Sequence, residues 1–501
     1  MIRSTALTLT VALSACATLP RDVDVEEAYA GAPAVEGVLA EVAGAIELHH
    51  GPDQSGFWLL DRNADALKWR LALIDSAVSS LDVAYYLWYG DDSGRLLLKR
   101  LIRAAERGVE VRLLVDDLLL IGNEKALVAL DAHPNIDLRL FNPKRQRRLG
   151  MLLDTLLRFS EMNSRMHNKL IVADNRAVIL GGRNIGDHYF GLNSRYNFHD
   201  LDVLGFGPVA LESSELFDNF WNGPWSVPAG LLPVSVSEEE RERRFEKLLE
   251  ELRVSEKLET FPLGPSDWSA ELHELSLGLR IGRSQTIYDR FDNGNLERRM
   301  IDPLGNVLRA AEERIDIVNA YIIPEQDFID GIQRITQRGV SVRILTNSLS
   351  SHDVPAVNSH YRQWRQPLLE AGAELFEFRA DPTIKTRIDT APVVSGFSAL
   401  HTKAFVVDAR QVFIGSMNFD PRSAAINTEM GILIDSEALG ADVLQLAERD
   451  MGAANAWRVG LDPDGELIWT NDLETARRQP ARNAWQRFMD GFFRILPKSQ
   501  L

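Results

Sequence analysis

Cysteine is nearly absent: one residue, Cys16, in a chain of 501. An internal disulfide framework is excluded, and so is any zinc or iron–sulfur site built on several thiolates. Positive charge is also in short supply. Lys and Arg number 55 against 72 Asp and Glu, a formal net charge of −17. That balance argues against a bulk nucleic-acid binder, whose affinity comes from neutralising phosphates. The apolar run at the N-terminus is too short to span a bilayer as a mature helix. Carboxylates form no cluster at metal-ligand spacing, so neither a metal nor a cofactor is expected. The chain is 45% hydrophobic and 25% charged. That is enough for two or three globular cores rather than a disordered chain.

The first residues read as an address. One Arg is followed by a short apolar run, Ala6 to Ala12, and then by Leu13-Ser14-Ala15-Cys16. The layout is that of a secretory signal over residues 1–15. The last four residues resemble the lipobox of bacterial lipoproteins, in which the cysteine is acylated and becomes the first residue. Residue 17 is Ala rather than Asp, which in that class favours the outer membrane over inner-membrane retention. Residues 16–50 read as a tether and domain entry.

The chain then repeats itself. Residues 71–117 and 305–348 both run helix, apolar strand, loop, amphipathic helix, Arg-Gly-Val, apolar strand. Leu81-Asp82-Val83 matches Ile315-Asp316-Ile317 at an offset of 234, and Arg107-Gly108-Val109 matches Arg338-Gly339-Val340 at 231. The glycine suits the residue just past a helix end. The alternation of strand and helix predicts a mixed sheet with flanking helices. Two copies so far apart mean two homologous α/β halves rather than a solenoid.

The chemistry lies in the second part of each copy, HNKLIVADNRAVILGGRNIGDHYF from residue 167 and HTKAFVVDARQVFIGSMNFDPRSA from residue 401. Each His is followed by Lys at +2, Asp at +7, Gly at +14 and Asn at +17. The candidates are His167, Lys169, Asp174 and Asn184 in one copy, and His401, Lys403, Asp408 and Asn418 in the other. Side chains two apart in a strand share a face, so each His and Lys point the same way. Asp174 and Asp408 fall in turns, and a structural role competes there with a catalytic one. The second strand brings each Asn back beside its His and Lys. Two halves placed face to face offer two imidazoles, two ammonium groups and two amides around one cleft. A phosphodiester needs such a set. One imidazole attacks phosphorus, the other serves the leaving and incoming oxygens, and the cations and amides stabilise the non-bridging oxygens.

The duplicated His-x-Lys-x4-Asp, with Gly-Gly or Gly-Ser and Asn downstream, resembles the phospholipase D superfamily over about residues 55–455. Arg165-Met166-His167-Asn168-Lys169, Gly182-Arg183-Asn184-Ile185-Gly186-Asp187 and Gly415-Ser416-Met417-Asn418-Phe419-Asp420-Pro421-Arg422-Ser423 are similar to its bacterial cardiolipin synthases, most of all to their C group. Many cardiolipin synthases carry N-terminal transmembrane helices; here a lipobox stands instead. The resemblance implies two phospholipase D-type domains, each a mixed sheet flanked by helices, with the active site at their interface. It also implies an acidic residue orienting each imidazole. In the second half Glu429 lies 28 after His401; in the first Asp200 lies 33 after His167, with Asp202 as competitor. By the same resemblance His167 is the nucleophile and His401 the general acid/base.

The expected layout is a signal peptide over 1–15, a tether over 16–50, a first domain over 51–230 and a helical connector over 231–275. A second domain spans 276–455 and a C-terminal segment 456–501. Three function classes remain open. The first is transfer of a phosphatidyl group through phosphohistidine to a lipid alcohol, giving cardiolipin. Phosphatidylglycerol is the acceptor, and phosphatidylglycerol or phosphatidylethanolamine the donor. The second is hydrolysis to phosphatidic acid. The third is a periplasmic nuclease or a lipid-binding lipoprotein; the charge opposes the one and the intact motifs the other. The expected partners are membrane phospholipids and the membrane surface, not nucleic acid. The need for an accessory protein stays open. The expected location is the cell envelope of a Gram-negative-type bacterium, lipid-anchored in the outer membrane and facing the periplasm.

Two segments offer membrane contact. Lys144-Arg145-Gln146-Arg147-Arg148 precedes the apolar stretch Leu149–Phe159 and either meets anionic headgroups or is a solvated loop. Trp485, Phe488, Met489, Phe492, Phe493, Ile495 and Leu496 share one helical face, with Arg487 and Arg494 nearby. That helix either lies in the interface or docks on the second domain, and docking is the expectation.

The sole cysteine supplies the first test. Cys16→Ser should release the protein from membranes or block its maturation, as read by cell fractionation. A variant that matures and stays membrane-bound excludes Cys16 as the anchor.

Overall fold

In the first half, strand β1 (Ser55–Leu60) leads into β2 (Ser80–Tyr85), β3 (Glu110–Asp116), β4 (Ile136–Phe141), β5 (Lys169–Ala173), β6 (Ala177–Gly181), β7 (Tyr196–His199), β8 (Asp202–Phe206) and β9 (Ser226–Pro228). The computed structural model describes residues 25–144, 164–251 and 255–493. The second half repeats the pattern after β10 (Arg280–Tyr288) and a small hairpin, β11 (Arg290–Asp292) with β12 (Asn295–Glu297). Its strands are β13 (Arg314–Asn319), β14 (Ser341–Asn347), β15 (Glu374–Phe378), β16 (Phe397–Leu400), β17 (Lys403–Val407), β18 (Gln411–Gly415), β19 (Met430–Asp435) and β20 (Ala456–Leu461).

The pairings are those of one unit used twice. β2 lies parallel to β3 and antiparallel to β5, while β13 lies parallel to β14 and antiparallel to β17. The motif hairpins β5–β6 and β17–β18 continue antiparallel into β8 and β19. β2 and β3 are buried along most of their length, with Asp82 and Arg112 paired between them at 2.7 Å. Gly108 and Gly339, with φ of 94° and 88°, close the helices Asp92–Glu106 and Gln326–Thr336 in a region that suits glycine.

Among the described residues, strand pairing joins the halves at three places. β1 pairs with the first residues of β10, making one sheet of the two. β7 pairs in parallel with β16, residue for residue from Tyr196–Phe397 to His199–Leu400. An isolated bridge links Met166 to Thr428. Between the motif hairpins Leu170, Val172 and Leu180 share one apolar cluster with Ala404, Val406, Ile414 and Ile432. This common core, and not a linker, holds the two units face to face.

Three expected boundaries move. Residues 25–50 are not a tether. Val38–His50 is a helix that buries Leu39, Val42 and Ile46 in the first-half core, and Ala30 N donates to Asp218 at 2.8 Å. The stretch 231–275 is helical, yet it belongs to the first half: Leu258, Phe261, Trp268 and Leu272 enter its core. The second domain does not stop at 455, because β20 extends its sheet beside β15 and the strands Leu467–Thr470 and Thr475–Ala476 continue it. Each shift has one cause: these segments carry apolar side chains that only the tertiary fold shows to be buried. The lipobox, residues 145–159 of the basic-apolar stretch, and Arg494, Ile495 and Leu496 lie outside the described residues. Among the described residues no helix is long and apolar enough to cross a membrane.

Candidate functional site

Both motif histidines stand just before a central strand, where the halves meet. His167 N donates to Thr428 O at 3.0 Å, and His401 N donates to His199 O at 2.7 Å. In each case the acceptor is the residue before an acid of the other half. The acids therefore cross over. His167 Nδ1 lies 2.9 and 3.1 Å from the Glu429 carboxylate, and His401 Nδ1 lies 2.6 Å from Asp200 Oδ2. Reading each acid as the partner of the histidine in its own half is corrected by this geometry. Asp200 and Glu429 occupy equivalent places, but each half orients the other's imidazole. Nδ1 is taken in both rings, which leaves Nε2 for chemistry.

Close packing allows the acids to reach. A Cβ on Gly182 would lie 2.3 Å from Asp200 Oδ1, so glycine is required beside this carboxylate. The matching residue in the second half is Ser416, whose Oγ instead donates to Glu429 Oε2 at 2.5 Å. Asp202, the competitor of Asp200, is occupied elsewhere. It pairs with Arg70 at 2.8 Å and Arg183 at 3.2 Å, all three side chains buried.

Lys169 and Lys403 are buried beside the histidines, and each ammonium donates to the carbonyl of its own motif His. Burial holds both lysines below their ordinary range, against the pull of Glu429 and Asp200. Asn184 Nδ2 donates to Tyr189 Oη at 2.8 Å, which commits one of its two amide hydrogens. Tyr189 meets the His401 ring edge-on at 5.2 Å, so this amide is tied to the cluster through the tyrosine. Asn418 is buried, and its Oδ1 has no hydrogen-bond partner among the described residues.

The two acids differ. Burial pushes Glu429 up to about 7, only partly offset by Lys169. Burial also raises Asp200, but His401, Lys403 and Arg183 together outweigh it and hold the carboxylate below its usual range. His167 is held well below the ordinary imidazole value by burial, then by Lys169. His401 is lowered by burial and Lys403 as well, while Asp200 pulls it back up.

Sequence reasoning missed an aromatic lining. Tyr86 packs edge-on against His167 at 5.1 Å, with Lys169 Nζ 5.4 Å from its centroid. Tyr321 does the same for Lys403 at 5.8 Å, stacks on His352 and donates to Asp353 at 2.8 Å. The 234-residue offset pairs Tyr86 with Ala320 rather than Tyr321, so the repeat gave no signal for them. Among the described residues no group of three or more His, Cys, Asp or Glu is arranged to hold a metal.

Asp174 and Asp408 are not in this cluster, which corrects their place among the catalytic candidates. Each sits at the far end of its strand from the motif Lys, in the left-handed region at φ 56° and 51°. Asp174 accepts from Ser79 N at 2.8 Å, and from Val78 N and Ser80 N at 3.0 Å. Asp408 accepts from Glu313 N at 2.8 Å, and from Glu312 N and Arg314 N at 2.9 Å. Their motif spacing is that of a hairpin turn pinning the start of a neighbouring strand.

Comparisons with known proteins agree with this architecture. The family model described as "Cardiolipin synthase, PLD-like domain" matches residues 71–221 and 304–451. Cardiolipin synthase C of Escherichia coli K12 is 36% identical over 467 residues, covering 89% of this chain and 96% of that protein. An uncharacterized protein of Helicobacter pylori J99 is 32% identical over 91% of each chain. The crystal structure of phosphatidylserine synthase from Haemophilus influenzae superposes with a TM-score of 0.55 at 14% identity, over 79% of this chain and 86% of that one, and so shares the fold.

Asp174→Ala leaves the backbone N–H groups of Val78, Ser79 and Ser80 without this acceptor. It should cost on the order of 3 kcal/mol of stability in chemical unfolding while the folded fraction keeps its turnover. Full stability with lost turnover would return Asp174 to the catalytic set.

Proposed function

Because the chain belongs to the cardiolipin synthase, phospholipase D-like family and is on that ground a phosphatidyltransferase, we propose that it makes cardiolipin through a phosphohistidine. The supporting observation is the pair of crossed imidazole–carboxylate contacts, each beside a buried lysine. His167 Nε2 attacks the phosphorus of phosphatidylglycerol or phosphatidylethanolamine. The bond from phosphorus to the headgroup oxygen breaks, and His401 gives that oxygen its Nε2 proton. The phosphatidyl group rests on His167. His401 then takes the proton of a glycerol hydroxyl of a second phosphatidylglycerol. That oxygen attacks phosphorus, releases His167 and yields cardiolipin. Lys169 and Lys403 stabilise the non-bridging oxygens as charge builds on them.

The unequal electrostatics support the division of labour. His167 is the more strongly held neutral, which suits a nucleophile. His401 faces the more acidic carboxylate, Asp200, which stabilises its cation and suits an acid. Membrane association goes with the family. A lipid anchor on Cys16 and an outer-membrane site facing the periplasm belong to the same proposal.

His167→Ala and His401→Ala should each lower turnover by at least about a thousandfold in folded protein. Mass spectrometry of lipids reads the product: cardiolipin is expected, and phosphatidic acid without cardiolipin would make the chain a hydrolase. A folded His401→Ala variant of normal rate would sink the two-histidine mechanism.

The pH dependence follows from the sign of the His167 shift. Burial lowers its value, so the nucleophilic neutral form persists below the ordinary 6.5 of imidazole. Formation of the trapped phosphohistidine should not fall as pH drops through 6.5 and should decline only further down. A midpoint at 6.5 would mean that His167 titrates like a solvated side chain.

A further inference from the structure

The last described helix, Ala484–Phe493, is mounted the wrong way round for a helix of a water-soluble surface. Two of its polar residues, Gln486 and Asp490, face the protein. One turn apart, these are its buried side chains. Gln486 Nε2 donates to Leu349 O, and Gln486 Oε1 accepts from Arg482 N at 2.9 Å. Asp490 accepts from Asn358 Nδ2 at 2.5 Å and Gln479 Nε2 at 2.8 Å, and pairs with Arg362 at 3.2 Å. The aromatic residues face out. Trp485, Phe488 and Phe492 are 66%, 61% and 52% exposed. They fall at i, i+3 and i+7 on one face, and Trp485 stacks on Phe488 at 5.3 Å. The helix docks on the second half, as expected, but through the opposite face from the one expected.

Hydrogen bonds and an ion pair therefore fix the outward aim of three large aromatic side chains. Adjacent exposed aromatics mark a contact surface, whereas singly scattered ones do not. The place of the helix says with what. Arg482, just before it, donates to Ser350 O at 2.9 Å and His352 O at 3.2 Å. His352 stacks on Tyr321 at 5.3 Å, and Tyr321 meets His401 edge-on at 6.4 Å. The residue just before the helix is thus one backbone-carbonyl hydrogen bond and two ring contacts from the candidate catalytic histidine. Arg487 is exposed on the helix itself and Arg478 is exposed six residues before it, in a chain whose net charge is −17. Apolar insertion with local arginines is how such an acidic protein overcomes repulsion from an anionic bilayer.

We infer that the Trp485–Phe488–Phe492 face inserts into the phospholipid surface and seats the mouth of the site against it. The inference rests on the phospholipid reading above for its choice of a bilayer over a protein partner. A second copy of the chain is the rival occupant.

The single cysteine makes a direct test. In full-length chain carrying Cys16→Ser, Phe488→Cys places one thiol on the exposed face for an environment-sensitive fluorophore. Leu277→Cys, at a position 89% exposed beside the helix Ser269–Ser276, is the control. Vesicles of phosphatidylglycerol and phosphatidylethanolamine should shift the emission at 488 to the blue, and brominated acyl chains should quench it. The label at 277 should show neither effect. A label at 488 that stays in water among vesicles overturns the inference. So does a blue shift that follows protein concentration without lipid, which would assign the face to a second copy. The readout needs no turnover. Insertion by a chain that converts no phospholipid would leave the docking standing and remove the substrate reading, and turnover without insertion would do the reverse.

Discussion

Each imidazole of the cluster is oriented by a carboxylate that the other half supplies, and the arrangement of the molecule follows from that exchange. A lone half holds a histidine without its acid and an acid without its histidine, all buried. Burying an unpaired ionisable group is costly. The halves must therefore meet with the register that joins His167 N to Thr428 O and His401 N to His199 O. The parallel pairing of β7 with β16 and the Met166–Thr428 bridge set that register by backbone hydrogen bonds. The apolar cluster between the motif hairpins supplies the non-directional attraction that presses the halves together. Fold and site are consequently one problem: the contacts that close the core also complete the two acid–imidazole pairs.

Near symmetry of backbone does not mean symmetry of charge. Both pairs are buried, and both lysines sit beside them, yet the carboxylates settle on opposite sides of their ordinary range. Asp200 is bonded at 2.6 Å to His401, whereas Glu429 shares its oxygens between His167 and the Ser416 hydroxyl. Two equivalent positions in a duplicated fold thus become one site that holds its imidazole neutral strongly and one in which the carboxylate partly offsets that hold. The proposed double displacement at phosphorus uses that difference between nucleophile and acid.

The surface obeys the same logic of placement. The C-terminal helix has polar residues on one face and aromatic residues on the other, and periodicity alone says that it is amphipathic. By pattern, the apolar face should turn inward. Here Asp490 and Gln486 find buried partners in the second half that outbid the aromatic face for contact. Only those partners, distant in sequence, decide which way the helix points.

Much was legible in the sequence, for definite reasons. The duplicated His-x-Lys-x4-Asp spacing carried the two-domain α/β fold, because strand periodicity and turn chemistry are local properties. It also placed His167, Lys169, His401 and Lys403 on inward faces, since residues two apart in a strand share a side. The same local reasoning correctly favoured a turn for Asp174 and Asp408. Spacing could not say whose acid serves whose histidine, because Asp200 and Glu429 pair across 201 and 262 residues. Nor could it reveal Tyr86 and Tyr321, which reach their lysines from positions one residue out of register. The burial of 25–50 and the aim of the last helix were equally out of reach. Each depends on which surfaces two packed halves leave free, and that is decided only when hydrogen bonds and apolar contacts between distant segments are satisfied together.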